Sequence, residues 1–428
     1  MKELEVKSFC PAVVGPSVEM LGPISDGGTI VAHTAPGCWG PMITPSFTGG
    51  HEVTQPVAIE NATIGDCIAV KIKRIAITSQ ATASGVHESI KGRFIDDPTI
   101  AAICPGCGTV NPPSRIENIG PKSIRCVKCG ADVSPFRMSN GYTIVFDHEN
   151  NIGITVNQLA ANEIAENAYN MAGLPELSKQ NPILVFAAAD LQGVATRLRP
   201  FIGNIGTIPS IDIPASSNAG DLCHLLIGKQ HKFTINQEDL NKRTDAHMDI
   251  DSVREGSIVL CPVKVDGGGL YIGDVHAMQG DGEIAGHTTD VSALVTVTVN
   301  LIKSLRIDGP ILLPLEEDLP FLAKPHRGKE LITAKALGHT FGQQSIDDTA
   351  PIQIIGSGTD LNKAVENGLE RIADLMDMSI GEVKNRVTLT GGIEIGRLPG
   401  VVTVTMLAPM KILEQIGLAE IIKEQYKI

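Results

Sequence analysis

Alternation is the clearest signal along the chain. Val291, Ala293, Val295, Val297, Val299 and Leu301 alternate with Ser292, Leu294, Thr296, Thr298, Asn300 and Ile302. Successive strand residues face opposite ways, so this period of two predicts a β-strand, covered on both faces at Leu294 and Ile302. Ile68, Val70 and Ile72, alternating with Ala69, Lys71 and Lys73, predict a half-buried strand, and Val401 to Met406 predicts another. Short β-branched runs between frequent Gly and Pro suit a sandwich or barrel. Helical spacing is rarer. Asn157 to Ala172 brings Leu159, Ile164, Ala165 and Ala168 to one side and stops at Gly173. Leu361 to Met376 stacks Leu369, Ile372, Ala373 and Met376 behind Asp360, an N-cap residue. Ile412 to Lys427 predicts a terminal helix. The sum is a mainly β chain with an α+β C-terminal region. Breaks fall near residues 100–140 and 305–335, the second marked by the proline- and acid-rich stretch from Pro310 to Pro325.

Composition narrows the class. The 428 residues are 43% hydrophobic with a net charge of −13, too apolar for a disordered chain. At this length more than one core can be buried. No apolar run reaches the roughly 18 residues that cross a bilayer. The start, MKELEVKSFC, lacks the apolar stretch of a signal peptide, which predicts a cytoplasmic location. The acidic balance disfavours nucleic acid and anionic membranes as partners. Nine cysteines, an odd number, do not form a disulfide framework in such a chain.

Four of the nine have metal-ligand spacing. Cys104-Pro-Gly-Cys107-Gly is separated from Cys126-Val-Lys-Cys129-Gly by 18 residues between Cys107 and Cys126. Each C-x-x-C-G is a knuckle that aims two thiolates inward, and two knuckles make the closed tetrahedral site preferred by zinc. A closed site has no open position for substrate, so this zinc is structural and folds a segment with little core. Arg115, Lys122, Arg125, Lys128 and Arg137 outnumber Glu117 and Asp132 there, a mildly basic surface that the acidic whole reads as ordinary solvation. Cys10, Cys67, Cys223 and Cys261 read as reduced packing residues. Cys38, in a Gly/Pro loop beside Trp39, is the alternative nucleophile if a base stands near it.

A second constellation is acidic. In residues 270–286, LYIGDVHAMQGDGEIAG, Asp274 and His276 are two apart, as are Asp281 and Glu283. Two residues apart on a strand share a face, and a hairpin turn at Gly280 would let all four converge. Carboxylates plus an imidazole suffice for acid–base work or for a divalent metal, and a backbone N–H near Gly280 to Gly282 could stabilise an oxyanion. The plainer alternative is a solvated polar turn. Asp245, His247 and Asp249 form a similar i, i+2, i+4 set, with an exposed turn as its alternative.

At Gly273-Asp-Val-His-Ala-Met-Gln-Gly-Asp-Gly-Glu283 the sequence resembles the acetamidase/formamidase family of small-amide hydrolases, matching its GD-x-H-x-x-QG-x-GE run at every fixed position. HEVTQP from His51, Gly65-Asp66 before CIAVKI, RPFIGNIGTIPS from Arg199, Met248-Asp249-Ile250, Gly256-Ser257 and Pro262-Val263 resemble further family segments, and IEIGRLPGVV does so more loosely. The resemblance spans most of residues 20–410. Two departures stand out: Asp245-Ala246-His247 replaces the family's GGN, altering an expected pocket wall, and the cysteine segment looks inserted.

The resemblance implies a jelly-roll/barrel-like architecture with residues 1–100 as an N-terminal β domain, 101–137 as the inserted ribbon, 138–305 as a β-rich catalytic domain and 306–428 as the α+β region. It implies hydrolysis of a short, neutral, formamide- or acetamide-like amide to carboxylate and ammonia in a dimer or trimer. Asp274, His276, Glu283 and Asp281 would be catalytic. His51, Gln279, Gly280, Gly282, His247 and Trp39 would bind substrate. His276, Asp249 and Glu283 would hold a divalent ion in addition to the structural zinc. Two alternatives stay open: cleavage of another linear or cyclic amide bond, and an inactive scaffold whose ribbon binds a partner.

Overall fold

The expected strands assemble into sheets that bury both faces of the largest one. The computed structural model describes residues 1–10, 13–37, 43–96, 98–215 and 236–428. Strand exceeds helix, 34% to 21%, as a mainly β chain requires. Nine strands form the largest sheet, in the order Glu3–Val6, Thr29–Thr34, Ala293–Ile302, Cys67–Ile77, Ile258–Pro262, Ile311–Leu313, Thr349–Ser357, Val401–Pro409 and Gly392–Arg397. A second sheet runs Phe201–Thr207, Leu270–His276, Val57–Ile59 and Leu21–Ile24, with Asp290–Val291 also pairing on Leu270–His276. A third runs Ala195–Arg197, Ile152–Thr155, Phe136–Asp147 and Ala81–Ser89.

Side-chain alternation sorts residues between two cores. Ile68, Val70 and Ile72 join Ile202, Ile272 and Val275 in a core between the first two sheets. Cys67 and Ala69, facing the other way, join Ile352, Val404, Ile372 and Val383 under the C-terminal helices. Each fully buried Ile or Val there contributes about 1.5–3 kcal/mol. Among the described residues the sheets keep free edges, so the arrangement is a layered sandwich and the barrel-like expectation is not met. The largest sheet takes strands from residues 1–100, 138–305 and 306–428 alike, so those three segments share one hydrogen-bonded framework.

The helices follow their caps more closely than their stripes. Leu361–Met376 starts where Asp360 accepts the Lys363 N–H at 3.0 Å, and Leu369, Ile372, Ala373 and Met376 are buried as expected. The helix expected over 157–172 is two pieces, Gln158–Glu166 and Ala168–Ala172, broken at Asn167. Ala161 and Ala165 face inward while Leu159 is 70% exposed, because close packing on Ala187 and Ala189 admits only small side chains. The terminal helix divides into Met410–Gln415 and Ala419–Tyr426, where Gly417 adopts a φ of 81° that interrupts helical geometry.

The cysteine segment closes a hairpin. Ala81–Ser89 pairs antiparallel with Phe136–Asp147 from Val145↔Ala81 to Phe136↔Ser89, and residues 90–135 form the connection. Cys104, Cys126, Ile124 and Val133 share a core with Phe136, Ala168, Leu184 and Val185. The segment therefore has more core than its composition suggested, because the neighbouring hairpin and helices supply it. No helix among the described residues is long and apolar enough to cross a membrane.

Candidate active site and cysteine cluster

Close backbone approach builds the site. Val53 bridges Gly273 on the strand Leu270–His276, and the Thr54 N–H donates to the Ile272 carbonyl at 2.8 Å. A β-carbon on Gly273 would lie 2.7 Å from the Val53 side chain, so glycine lets the 51–54 segment lie flat and deliver His51. On the other side the Met248 and Asp249 N–H groups donate to the Gly203 carbonyl at 2.8 and 3.1 Å. A β-carbon on Gly203 would overlap the Asp249 carboxylate. His51, His247, Asp249, Asp274, His276, Glu283 and Asp290 all converge, buried. Asp249, Asp274 and Glu283 have φ of 51°, 54° and 41°, a left-handed conformation costing roughly 1–2 kcal/mol per L-residue. Such strain persists where surrounding contacts over-determine a functional geometry.

The distances describe a nested set. His247 Nε2 lies 2.9 Å from Asp249 Oδ2 and 3.0 Å from Asp274 Oδ2. His51 Nε2 lies 3.6 Å from that same Asp274 oxygen. His276 Nε2 faces Asp274 Oδ1 and Asp290 Oδ1, each at 3.0 Å, and Asp249 Oδ1 at 3.9 Å. Arg397 reaches Asp249 Oδ2 through Nη1 at 3.0 Å and Glu283 Oε2 through Nε at 2.9 Å. Gln279 Nε2 donates to the Asp249 carbonyl at 2.7 Å, which turns Gln279 Oε1 toward His276 Nδ1 at 3.1 Å. His276 Nδ1 must therefore carry a proton and donate it.

That orientation tests whether a metal fits. His276 Nε2, Asp249 Oδ1, Asp274 Oδ1 and Asp290 Oδ1 are buried and, among the described residues, none meets hydrogen-bond geometry. Three carboxylate oxygens thus close on one ring nitrogen without bonding to it. Four buried carboxyl groups and three imidazoles face one arginine, a concentration of buried ionisable groups that calls for close compensation. A cation relieves both faults, and imidazole with carboxylates is a suitable donor set. Asp249, Asp274 and His276 form one group able to hold an ion, and His51, His247 and Asp274 form another.

Charge coupling among the side chains sets the protonation of the cluster. Burial would raise the Asp274 carboxyl, but the charges of His276 and His51 and the hydrogen bond from His247 outweigh it and hold the group well below its usual range. Burial would lower His276, yet Asp274 and Asp290 raise it well above an ordinary imidazole. Burial pushes Glu283 up to about 8; Arg397 opposes this and Asp249 reinforces it.

Of the residues expected from the sequence, Asp274, His276, Asp249, His51 and His247 meet directly. Glu283 joins through Arg397 and Gln279 through His276. Asp281 and Gly280 are exposed and point elsewhere, because Gly282 bridges Arg397 and the segment pairs there, not back on the strand Leu270–His276. The Gly282 N–H is engaged by the Gly396 carbonyl at 3.2 Å, so it is not a free oxyanion donor. Trp39 and Cys38, with Cys223, lie outside the described residues. The altered Asp245-Ala246-His247 block splits in two: His247 enters the site, whereas Asp245 turns away to Arg243 and Arg371. Asp290 and Arg397 carry no sequence spacing that singles them out. Arg397 sits in the loosely matching IEIGRLPGVV segment, the one signal that could have found it. His87 and His287, without defensible spacing, are in direct ring contact at the site's edge.

The cysteine cluster is preformed. Cys104 and Cys129 sulfurs lie 3.4 Å apart and those of Cys107 and Cys126 3.9 Å apart. Tetrahedral coordination at a zinc–sulfur distance of about 2.3 Å requires sulfurs about 3.8 Å apart. The N–H groups of Gly108 and Gly130 donate to the Cys104 and Cys126 carbonyls at 2.9 Å, and both glycines have positive φ, which closes each knuckle. Burial pushes the Cys10 and Cys261 thiols up to about 12, consistent with inert packing.

The model of the acetamidase/formamidase family matches residues 38–240 and 227–415. No curated protein matches the chain. Three solved structures share the fold. A predicted acetamidase/formamidase from Thermoanaerobacter tengcongensis is 16% identical, with 97% of this chain and 98% of that chain covered and a TM-score of 0.53. An acetamidase from Yersinia enterocolitica is 17% identical over 96% and 92%, with a TM-score of 0.52. An acetamidase from Bacillus halodurans is 17% identical over 97% and 99%, also with a TM-score of 0.52.

Proposed function

This chain belongs to the acetamidase/formamidase family of amide hydrolases, and on that premise we propose that it cleaves a short neutral aliphatic amide to a carboxylate and ammonia at the buried His/Asp cluster. The observation that carries the proposal is the set of converging, unbonded donor atoms on Asp249, Asp274, His276 and Asp290. Asp249, Asp274 and His276 would hold a divalent ion, with His51 and His247 beside it. Such an ion would supply positive charge to polarise the amide carbonyl and to acidify water.

The chain's own residues do the rest. The carboxylates of Asp249 and Asp290 flank the same point and can accept a proton from the attacking water. Gln279 keeps the His276 ring oriented through Nδ1, as outer partners of ligating histidines do. Glu283, protonated at neutral pH by its burial, delivers a proton to the departing nitrogen, since NH₂⁻ is too basic to leave unaided. Arg397 anchors Glu283 and Asp249 together. Glu283→Gln should lower turnover by about 10², the scale of a lost proton donor. Ammonia release at the wild-type rate would remove Glu283 from the mechanism.

The four cysteines would hold a structural zinc that fixes the tip of the 81–147 hairpin. Elemental analysis of purified protein should find zinc at the cysteines and at least one further ion. Replacing Cys104 and Cys129 by serine should remove only the zinc. A protein whose sole ion disappears in that variant would contradict the second site.

A further inference from the structure

A small acidic cavity lies directly behind the cluster. It is a partly open recess of about 170 Å³ lined by Asp251, Asp281, Asp318 and Glu394, of which Asp281 and Glu394 are exposed at its mouth, with Arg199 as the one lining cation. Three segments feed both places. Asp249 faces the cluster and Asp251 the cavity; Glu283 the cluster and Asp281 the cavity; Arg397 the cluster and Glu394 the cavity. The wall between them is one backbone layer, in which the Gly282 N–H donates to the Gly396 carbonyl and the Leu398 N–H to the Gly282 carbonyl at 2.9 Å.

The charges in the cavity do not cancel. Arg199 reaches Asp251 and also Asp318 Oδ1 at 2.6 Å, and Arg254 reaches Asp318 Oδ2 at 2.7 Å. Asp281 and Glu394 have no ion-pair partner among the described residues. Burial, then the negative charge of Asp281, Asp251 and Asp318, raises the Glu394 carboxyl. A second observation points to a ligand. Thr403 is 3% exposed, its Oγ1 has no hydrogen-bond partner among the described residues, and it lines the cavity. It pairs across the strands with Glu394, which puts both side chains on one sheet face. A buried hydroxyl left without a partner costs about 1–3 kcal/mol, so its presence here calls for a donor or acceptor in the cavity.

We propose that this cavity is a binding site for ammonium, the cationic product of the hydrolysis at the neighbouring cluster. The inference rests on the amide-hydrolase reading above. Hydrolysis consumes one water and yields a carboxylate and, at neutral pH, NH₄⁺: Glu283 gives the departing NH₂ group one proton, and the two protons of the attacking water supply the fourth N–H and restore the Glu283 acid. The two products carry opposite charge. The cavity's excess carboxylates attract the cation and repel the acid, while Thr403 Oγ1 and the Glu394 carboxylate accept its N–H groups. Ammonium suits the space better than a divalent metal, because Arg199 already occupies two of the four carboxylates.

Two measurements on the full chain test this. Initial rates of carboxylate release from acetamide are followed with ammonium, sodium or tetramethylammonium chloride at constant ionic strength. Ammonium should inhibit, and Glu394→Gln and Thr403→Val should each raise its inhibition constant by about tenfold, the effect of losing one charge-assisted hydrogen bond. Turnover without ammonium should stay within about twofold of wild type. Equal inhibition of wild type and variants, or equal inhibition by sodium, would overturn the site. Line broadening of ¹⁵N-ammonium by the protein, abolished by Glu394→Gln, reads binding without catalysis. Broadening in a protein that hydrolyses no amide would sustain the site and remove the amidase reading. Absence of broadening in wild type would overturn the site while leaving that reading intact.

Discussion

Asp274→Asn is expected to lower amide turnover by about 10³, within the range for groups that act at the reacting centre, while the protein remains folded. The side chain is isosteric and buried, so packing is kept. What changes is the charge shared by three imidazoles: Asp274 lies 3.0 Å from His247 and His276 and 3.6 Å from His51. It also belongs to both groups able to hold an ion. Its loss removes the anion that stabilises a raised His276 and a donor common to both sets. Metal affinity at the cluster should fall with activity, whereas the cysteine site keeps its zinc. Turnover and metal content measured on the same preparation check this. Wild-type turnover with unchanged metal content would show that the cluster is not the active site.

Asp245→Ala should have the largest effect on stability, about 3–5 kcal/mol, the cost of stranding buried charge. The carboxylate meets Arg243 Nε at 2.5 Å and Arg371 Nη2 at 2.6 Å. Arg371 belongs to the helix Leu361–Met376 and also donates to the Ile355 carbonyl at 2.7 Å, so Asp245 ties that helix to the sheet. Removing it takes away the buried anion that Arg243 and Arg371 share. The pH dependence has a definite sign. Burial would raise the carboxyl, but Arg243 and Arg371 hold it down at about 2, below its value of about 3.9 in an unfolded chain. Its stabilisation is complete above about pH 4 and is lost as pH falls toward about 2. Urea unfolding of wild type and variant should therefore differ most near neutrality and converge in acid. A difference that stays constant from neutral pH into strong acid would show that the ion pair is not the cause.

Legibility in the sequence followed the range of the interaction. Alternation over 67–77 and 293–302 is local, because backbone pleat alone assigns each residue a face, and the burial of Ala293, Val295, Val297 and Val299 follows it. Asp360 capped its helix for the same reason: the acceptor and the N–H it serves are three residues apart. The two knuckles were legible because a C-x-x-C-G turn orients its thiolates within five residues. Leu159 misled, since a stripe states which residues share a side but not what packs against it.

The His/Asp cluster divides along the same line. The run from Gly273 to Glu283 singled out Asp274, His276 and Glu283, the i, i+2, i+4 spacing singled out His247 and Asp249, and the family resemblance added His51. Asp281 shares their spacing yet points into a different cavity, because a turn's geometry depends on what it packs against. Arg397 and Asp290 arrive from distant strands, as do the paired rings of His87 and His287. Nor does any local pattern reveal that Asp245 braces a helix while His247, two residues on, faces Asp249 and Asp274. Local pattern and motif sufficed for the strands, the knuckles and the family. Which charges meet was settled by the folded arrangement, because the free energy of a buried carboxylate is set by neighbours that the chain brings from far away.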